Sequence, residues 1–114
     1  MNVSDIVAAL PVRVVAGADH LQNEVTGGYA SDLLSCVMAG ARKGNVWVTL
    51  QAHMNVIAVA ALLELACVVI TEGAALDSEA LTRADQRGVV VLSTEQGSFA
   101  MVAQLSALGV SGGA

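Results

Sequence analysis

A chain of 114 residues builds one domain around a single core and has no room for a second. Hydrophobic residues make up 55% of it, charged residues 13% and aromatics 3%, so the core is made of Ala, Val, Leu and Ile. The apolar surplus calls for burial in a homo-oligomer, with a dimer favoured. A net charge of −5, no basic cluster beyond Arg42-Lys43 and almost no aromatic platforms speak against nucleic-acid binding. The longest apolar run, Val56 to Leu63, falls far short of the ~20 residues a bilayer span needs. The amino terminus has neither the basic nor the hydrophobic region of a secretory signal, so a cytoplasmic protein with no membrane partner is expected.

In chain order, Ser4 is placed to cap a short helix, Asp5 to Leu10, which Pro11 ends. Val12 to Ala16 is a β-branched run and Glu24 to Tyr29 a second strand, with Gly27-Gly28 near its end. Ser31 then caps a helix through Lys43, closed by Gly44. Leu33, Leu34, Val37, Met38 and Ala41 fall on one face of it and Cys36 on another. Val46 to Leu50 is a strand, and Asn55 caps a helix to about Leu65 that is apolar on every side except Glu64. A helix apolar all round is buried all round, which marks it as the subunit contact.

Cys67 to Ile70 is a continuous apolar run, the pattern of a central parallel strand. Asp77 caps a polar helix, Ser78 to Arg87, ending at Gly88. Val89 to Leu92 is another buried strand, and Ser93-x-x-Gln96 reads as a capping box for a last helix, Glu95 to Leu108. Successive strand–loop–helix units imply an α/β fold, a single layered domain with a mainly parallel sheet flanked by helices. The domain spans 1–110, with 111–114 as a flexible tail.

In such a sheet, ligands gather at the carboxyl ends of the strands. Four loops are expected there: Gly27 to Ser31, Gln51 to Asn55, Thr71 to Gly73, and Ser93-Thr94. Gln51, His53, Asn55, Thr71 and Ser93 would read a small molecule, and Gly27 and Gly28 would let backbone approach it. Ser31, Gly73 and Thr94 complete the set. The plainer reading makes Ser31, Asn55, Asp77 and Ser93 or Thr94 helix caps, and Gly27-Gly28 a strand end or bulge.

His53 is a loop histidine, a ligand contact, or a general base partnered by Asp32, Glu72 or Ser93. Neither a G-x-x-x-x-G-K-[ST] nor a G-x-G-x-x-G motif occurs, and no Lys or Arg lies in the four loops. Cys36 and Cys67 read as free thiols, and no metal-ligand spacing or cofactor motif stands out.

Val25-Thr26-Gly27-Gly28-Tyr29-Ala30-Ser31-Asp32-Leu33-Leu34-Ser35, Val46 to His53, Val69-Ile70-Thr71-Glu72-Gly73 and Val91-Leu92-Ser93-Thr94 follow in an order that resembles a stand-alone DRTGG domain. That family is similar to the amino-terminal domain of HPr kinase/phosphatase, and occurs within some phosphate acetyltransferases and beside CBS domains in certain pyrophosphatases. Ala52-His53 stand where the family has Asp-Arg, and Thr71-Glu72-Gly73 where it has Thr-Gly-Gly. The kinase's P-loop domain has no counterpart here. The resemblance implies a non-catalytic regulatory, ligand-sensing or assembly module, serving a redox system of hydrogenase type, with a redox-complex protein as partner, or carbon metabolism. The alternative is a small enzyme with His53 as acid–base residue.

Overall fold

The computed structural model describes residues 1–112. Five strands form one sheet in the order β1-β5-β4-β3-β2. They are β1 (Arg13–Ala16), β2 (Gly27–Ala30), β3 (Asn45–Thr49), β4 (Cys67–Ile70) and β5 (Val91–Ser93). β2 to β5 are mutually parallel, and β1 joins β5 antiparallel. The expected α/β architecture is the observed one.

Each parallel strand is added on the same side of its predecessor, so right-handed crossovers put all the connecting helices on one face. These are α2 (Leu34–Gly40), α3 (Met54–Leu63) and α4 (Ser78–Arg87). Val37, Val56, Ile57, Ala60, Ala80 and Ala84 meet Trp47, Val68, Ile70 and Val91 there. The opposite face is left to the chain ends, α1 (Val3–Ala9) and α5 (Ser98–Leu108). Val3, Ile6, Met101 and Leu105 pack on Val46, Val48, Val69 and Leu92. Alternate residues of each strand thus serve opposite cores, which is why β3 and β4 are buried at every position.

α4 matches its sequence expectation at both ends: Asp77 accepts from the Ala80 amide, and Gly88 closes the helix at φ 69°. The other helix starts do not. α1 begins earlier, under an Asn2–Asp5 capping box rather than Ser4. α2 is shorter than the expected Ser31-to-Lys43 helix, and Leu33, outside it, is 60% exposed. α5 starts at Ser98, so Ser93 forms no capping box and belongs to β5. A geometric reason unites the last two: residues between strand and helix are held in side-chain contacts at the sheet edge.

The apolar character of α3 has a local source. It lies in the middle of its layer, touching both α2 and α4, so its flanks are covered as well as its underside. Leu62, at 66% exposure, is its one large apolar side chain left outside. At the far edge, the Gly28 amide donates to the Ser111 carbonyl at 2.8 Å, so the carboxyl-terminal segment runs along β2. Residues 113–114 of the expected tail lie outside the described residues.

Candidate functional site

The carboxyl edge of the parallel strands carries the loops singled out from the sequence, apart from Gly27 and Gly28, and it divides into separate polar clusters. The first is organised by Asp32. Its Oδ1 accepts from the Thr49 hydroxyl and from the Leu50 amide, both at 2.9 Å, and its carbonyl accepts from Gln51 Nε2 at 3.1 Å. The Gln51 amide donates to Thr49 Oγ1 at 3.1 Å. A carboxylate holding two loops together in this way fixes them without a metal or cation.

Beside this clasp is a shallow cleft of about 420 Å³ bordered by Asp32, Leu33, Gln51, His53, Asn55 and Val56. Three of the expected ligand residues, Gln51, His53 and Asn55, meet here. His53 caps α3: its Nδ1 accepts from the Asn55 amide at 3.1 Å. The cap that the sequence assigns to Asn55 therefore belongs two residues earlier. Accepting through Nδ1 requires the neutral tautomer with hydrogen on Nε2. Among the described residues no hydrogen bond joins His53 to Asp32, Glu72 or Ser93.

The second cluster lies on the α5 side of the sheet. Thr71, fully buried, donates through its amide to the Thr49 carbonyl at 2.9 Å, and its hydroxyl lies 2.6 Å from that of Ser98. Glu72 Oε2 accepts from the Ser98 amide at 3.0 Å and so caps α5 from another loop. Beyond the strands, the Glu72 and Gly73 amides donate to the carbonyls of Gln96 and Thr94. Thr94 Oγ1 accepts from the Gln96 amide at 3.2 Å. Gly73 has φ 70°, a left-handed backbone that favours glycine; a Cβ there would also push the end of the flexible Glu95 side chain aside.

Ser93 belongs to neither cluster. It lines a small recess of about 190 Å³ under α4 with Arg13, Val15, Ala74 and Leu76. Because β1 runs antiparallel, its first residue, Arg13, pairs with Ser93 at the carboxyl edge. A cation is thus brought to an edge whose own loops contain none. Strand direction leaves no trace in local hydropathy, so only the spatial pairing reveals it.

Gly27 and Gly28 stand at the other end of the sheet. They open β2, opposite Asn45 and Val46 at the start of β3. A Cβ on Gly28 would meet Val110 Cγ1 at 3.1 Å, so its small size seats the carboxyl-terminal segment. Ser31 is at the right edge but caps no helix; its Oγ accepts from the Leu33 amide at 3.1 Å and its carbonyl from Trp47 Nε1 at 2.9 Å. Asp32 is the residue the sequence undervalued, since a Ser-Asp pair before Leu-Leu looks like the first turn of a helix.

Chemically, the edge is already partly committed and carries acidic groups. One amino-terminal amide each of α3, α4 and α5 is taken by His53, Asp77 and Glu72. A phosphate at these helix starts would approach the carboxylates of Asp32, Glu72 and Glu95. Among the described residues no group of three or more His, Cys, Asp and Glu side chains is arranged to hold a metal ion, and no helix is long and apolar enough to cross a membrane. Cys36 is exposed, and Cys67 is buried in β4, where desolvation pushes its thiol up to about 12.

No curated protein sequence matches the chain. Among solved structures, it is similar to the CBS and DRTGG domains of the regulatory region of Clostridium perfringens pyrophosphatase, a structure complexed with the activator diadenosine tetraphosphate. The TM-score is 0.74 at 12% identity over 91% of this chain, which spans 45% of that one. The DRTGG domain family matches residues 5–108, with the five-stranded sheet and all five helices falling wholly or largely inside that span. The chain belongs to the DRTGG domain family.

Proposed function

We propose that the chain is a non-catalytic regulatory module that works as a homo-oligomer and senses a small molecule at the cleft bordered by Asp32, Gln51, His53 and Asn55. The observation that carries this reading is the Asp32 clasp. It joins the β2–α2 and β3–α3 loops beside an open cleft, so a molecule bound there bears directly on how the two loops are held. The pyrophosphatase structure supports the regulatory half of the reading by its architecture.

The ligand class follows from charge. Asp32 borders the cleft and no Lys or Arg does, so the fitting ligand presents hydroxyl or amine donors rather than phosphates. Thr71, Gly73, Ser93 and Thr94 act as the frame of this edge, and a redox-system protein is the assembly partner in the purely structural form of the reading. His53 as a general base is disfavoured because its Nδ1 is committed to α3 and no carboxylate orients it.

A thermal-shift panel tests the ligand class. Polyols, nucleosides and amines are compared with nucleotides and diadenosine tetraphosphate, on the native chain and on Gln51→Ala. A ligand at 100 times its Kd adds about 2.7 kcal/mol to stability. Stabilisation by a neutral or cationic compound that Gln51→Ala abolishes is the expected result. Stabilisation by polyphosphates alone would overturn the charge argument.

A further inference from the structure

We infer that two copies of this chain associate through α5, with Phe99 of each copy seated in a groove of the other. This rests on the homo-oligomer reading above and places its contact away from α3. Two helices must cover the α5 face of a five-stranded sheet, and they leave the outermost strand bare. The result is a groove of about 530 Å³ between β2 and α5, bordered by Gly28, Ala30, Val48, Val102, Leu105 and Val110. Gly28 and Ala30 contribute almost no side chain to fill it.

Next to this hole stands a matching knob. Phe99 is 90% exposed, the most exposed large hydrophobic residue of the described chain. It lies on the same helix ridge as Val102 and Ser106, which form one wall of the groove. A two-fold axis passing between Val102 and Ala103 would run the two α5 helices antiparallel and set Phe99 opposite the partner's Ser106, at the groove mouth. Knob and hole on one surface make that surface self-complementary, as an isologous dimer requires.

Charge selects a second copy as occupant. The chain carries −5, so its copies repel wherever their acidic surfaces meet. From Gln96 to Ala114 no residue is charged, nor is any in β2. Area is compatible too. A stable interface takes about 800 Å² per partner, roughly a seventh of the 5698 Å² surface. Reciprocal insertion of Phe99, counting ring and groove, supplies about 300 Å² of it, and the α5 ridge must provide the rest.

Sedimentation velocity over a concentration series tests this on the full chain, Phe99→Ala, Phe99→Glu and, as a control on α3, Leu62→Glu. Circular dichroism checks that each variant folds, which the exposure of both positions favours. The native chain and Leu62→Glu should dimerise, Phe99→Ala should weaken the dimer roughly 100-fold, and Phe99→Glu should be monomeric. A dimer that survives Phe99→Glu but dissociates with Leu62→Glu overturns the α5 contact and leaves the homo-oligomer reading standing. A native chain that stays monomeric throughout overturns both, and gives the groove to a different partner.

Discussion

Glu72 holds two opposing effects in one residue, and separating them tests the account of the edge. Its backbone is left-handed, φ 63°, which disfavours any side chain by about 1 kcal/mol relative to glycine. Its carboxylate caps α5 through the Ser98 amide, a contact of the kind that contributes about 1 kcal/mol. Glu72→Ala loses the cap and keeps the strain, for a net loss of about 1 kcal/mol. Glu72→Gly loses the cap and relieves the strain, so it stays near the native value. With an m-value of about 2 kcal/mol per molar urea, the alanine variant unfolds roughly 0.5 M earlier than the glycine variant. Urea titrations followed by circular dichroism measure both midpoints. An alanine variant as stable as the glycine variant would refute the reasoning. The comparison also bears on lineage, because glycine is what the DRTGG resemblance places at this position.

Three further outcomes follow from the geometry. His53→Ala should cost about 1 kcal/mol by removing the α3 cap, whereas His53→Asp should retain it; thermal unfolding distinguishes them. Asp32→Ala removes the acceptor of Thr49 and Leu50 and should destabilise by about 2 kcal/mol, while Asp32→Asn, which keeps an oxygen acceptor, should lose less than half of that in the same assay. Cys67 should resist thiol reagents until the chain unfolds, while Cys36 reacts at once. Because burial raises the Cys67 thiol from 9.0 to about 12, its contribution is intact below pH 9 and is lost as pH rises toward 12. The slope is up to about 1.4 kcal/mol per pH unit, and it should vanish from urea midpoints of Cys67→Ala.

Much of the fold was legible because its elements obey simple periodicity. β4 is a pure apolar run and α4 has a capping Asp and a terminal Gly, and both match their expected limits. The starts of α2, α3 and α5 were misplaced for a shared reason. Ser31, Asn55 and Ser93 have capping chemistry, but Asp32 makes the edge contacts before α2, and the caps of α3 and α5 act through unusual routes: the His53 ring and the Glu72 carboxylate from a different loop. The site was legible in part. Gln51, His53 and Asn55 converge on one cleft, whereas Gly27 and Gly28 open their strand at the opposite end. A glycine pair gives no sign of which end of a strand it occupies. Arg13 reaches the edge only because β1 reverses, a relation between strands that no local window contains.

The central claim, a ligand-sensing homo-oligomer, is tested most directly by native mass spectrometry of the protein purified gently from its own host. The account predicts a dimer or larger even-numbered assembly carrying a defined extra mass, retained by the native chain and absent from the Gln51→Ala variant. A monomer with no added mass would contradict it.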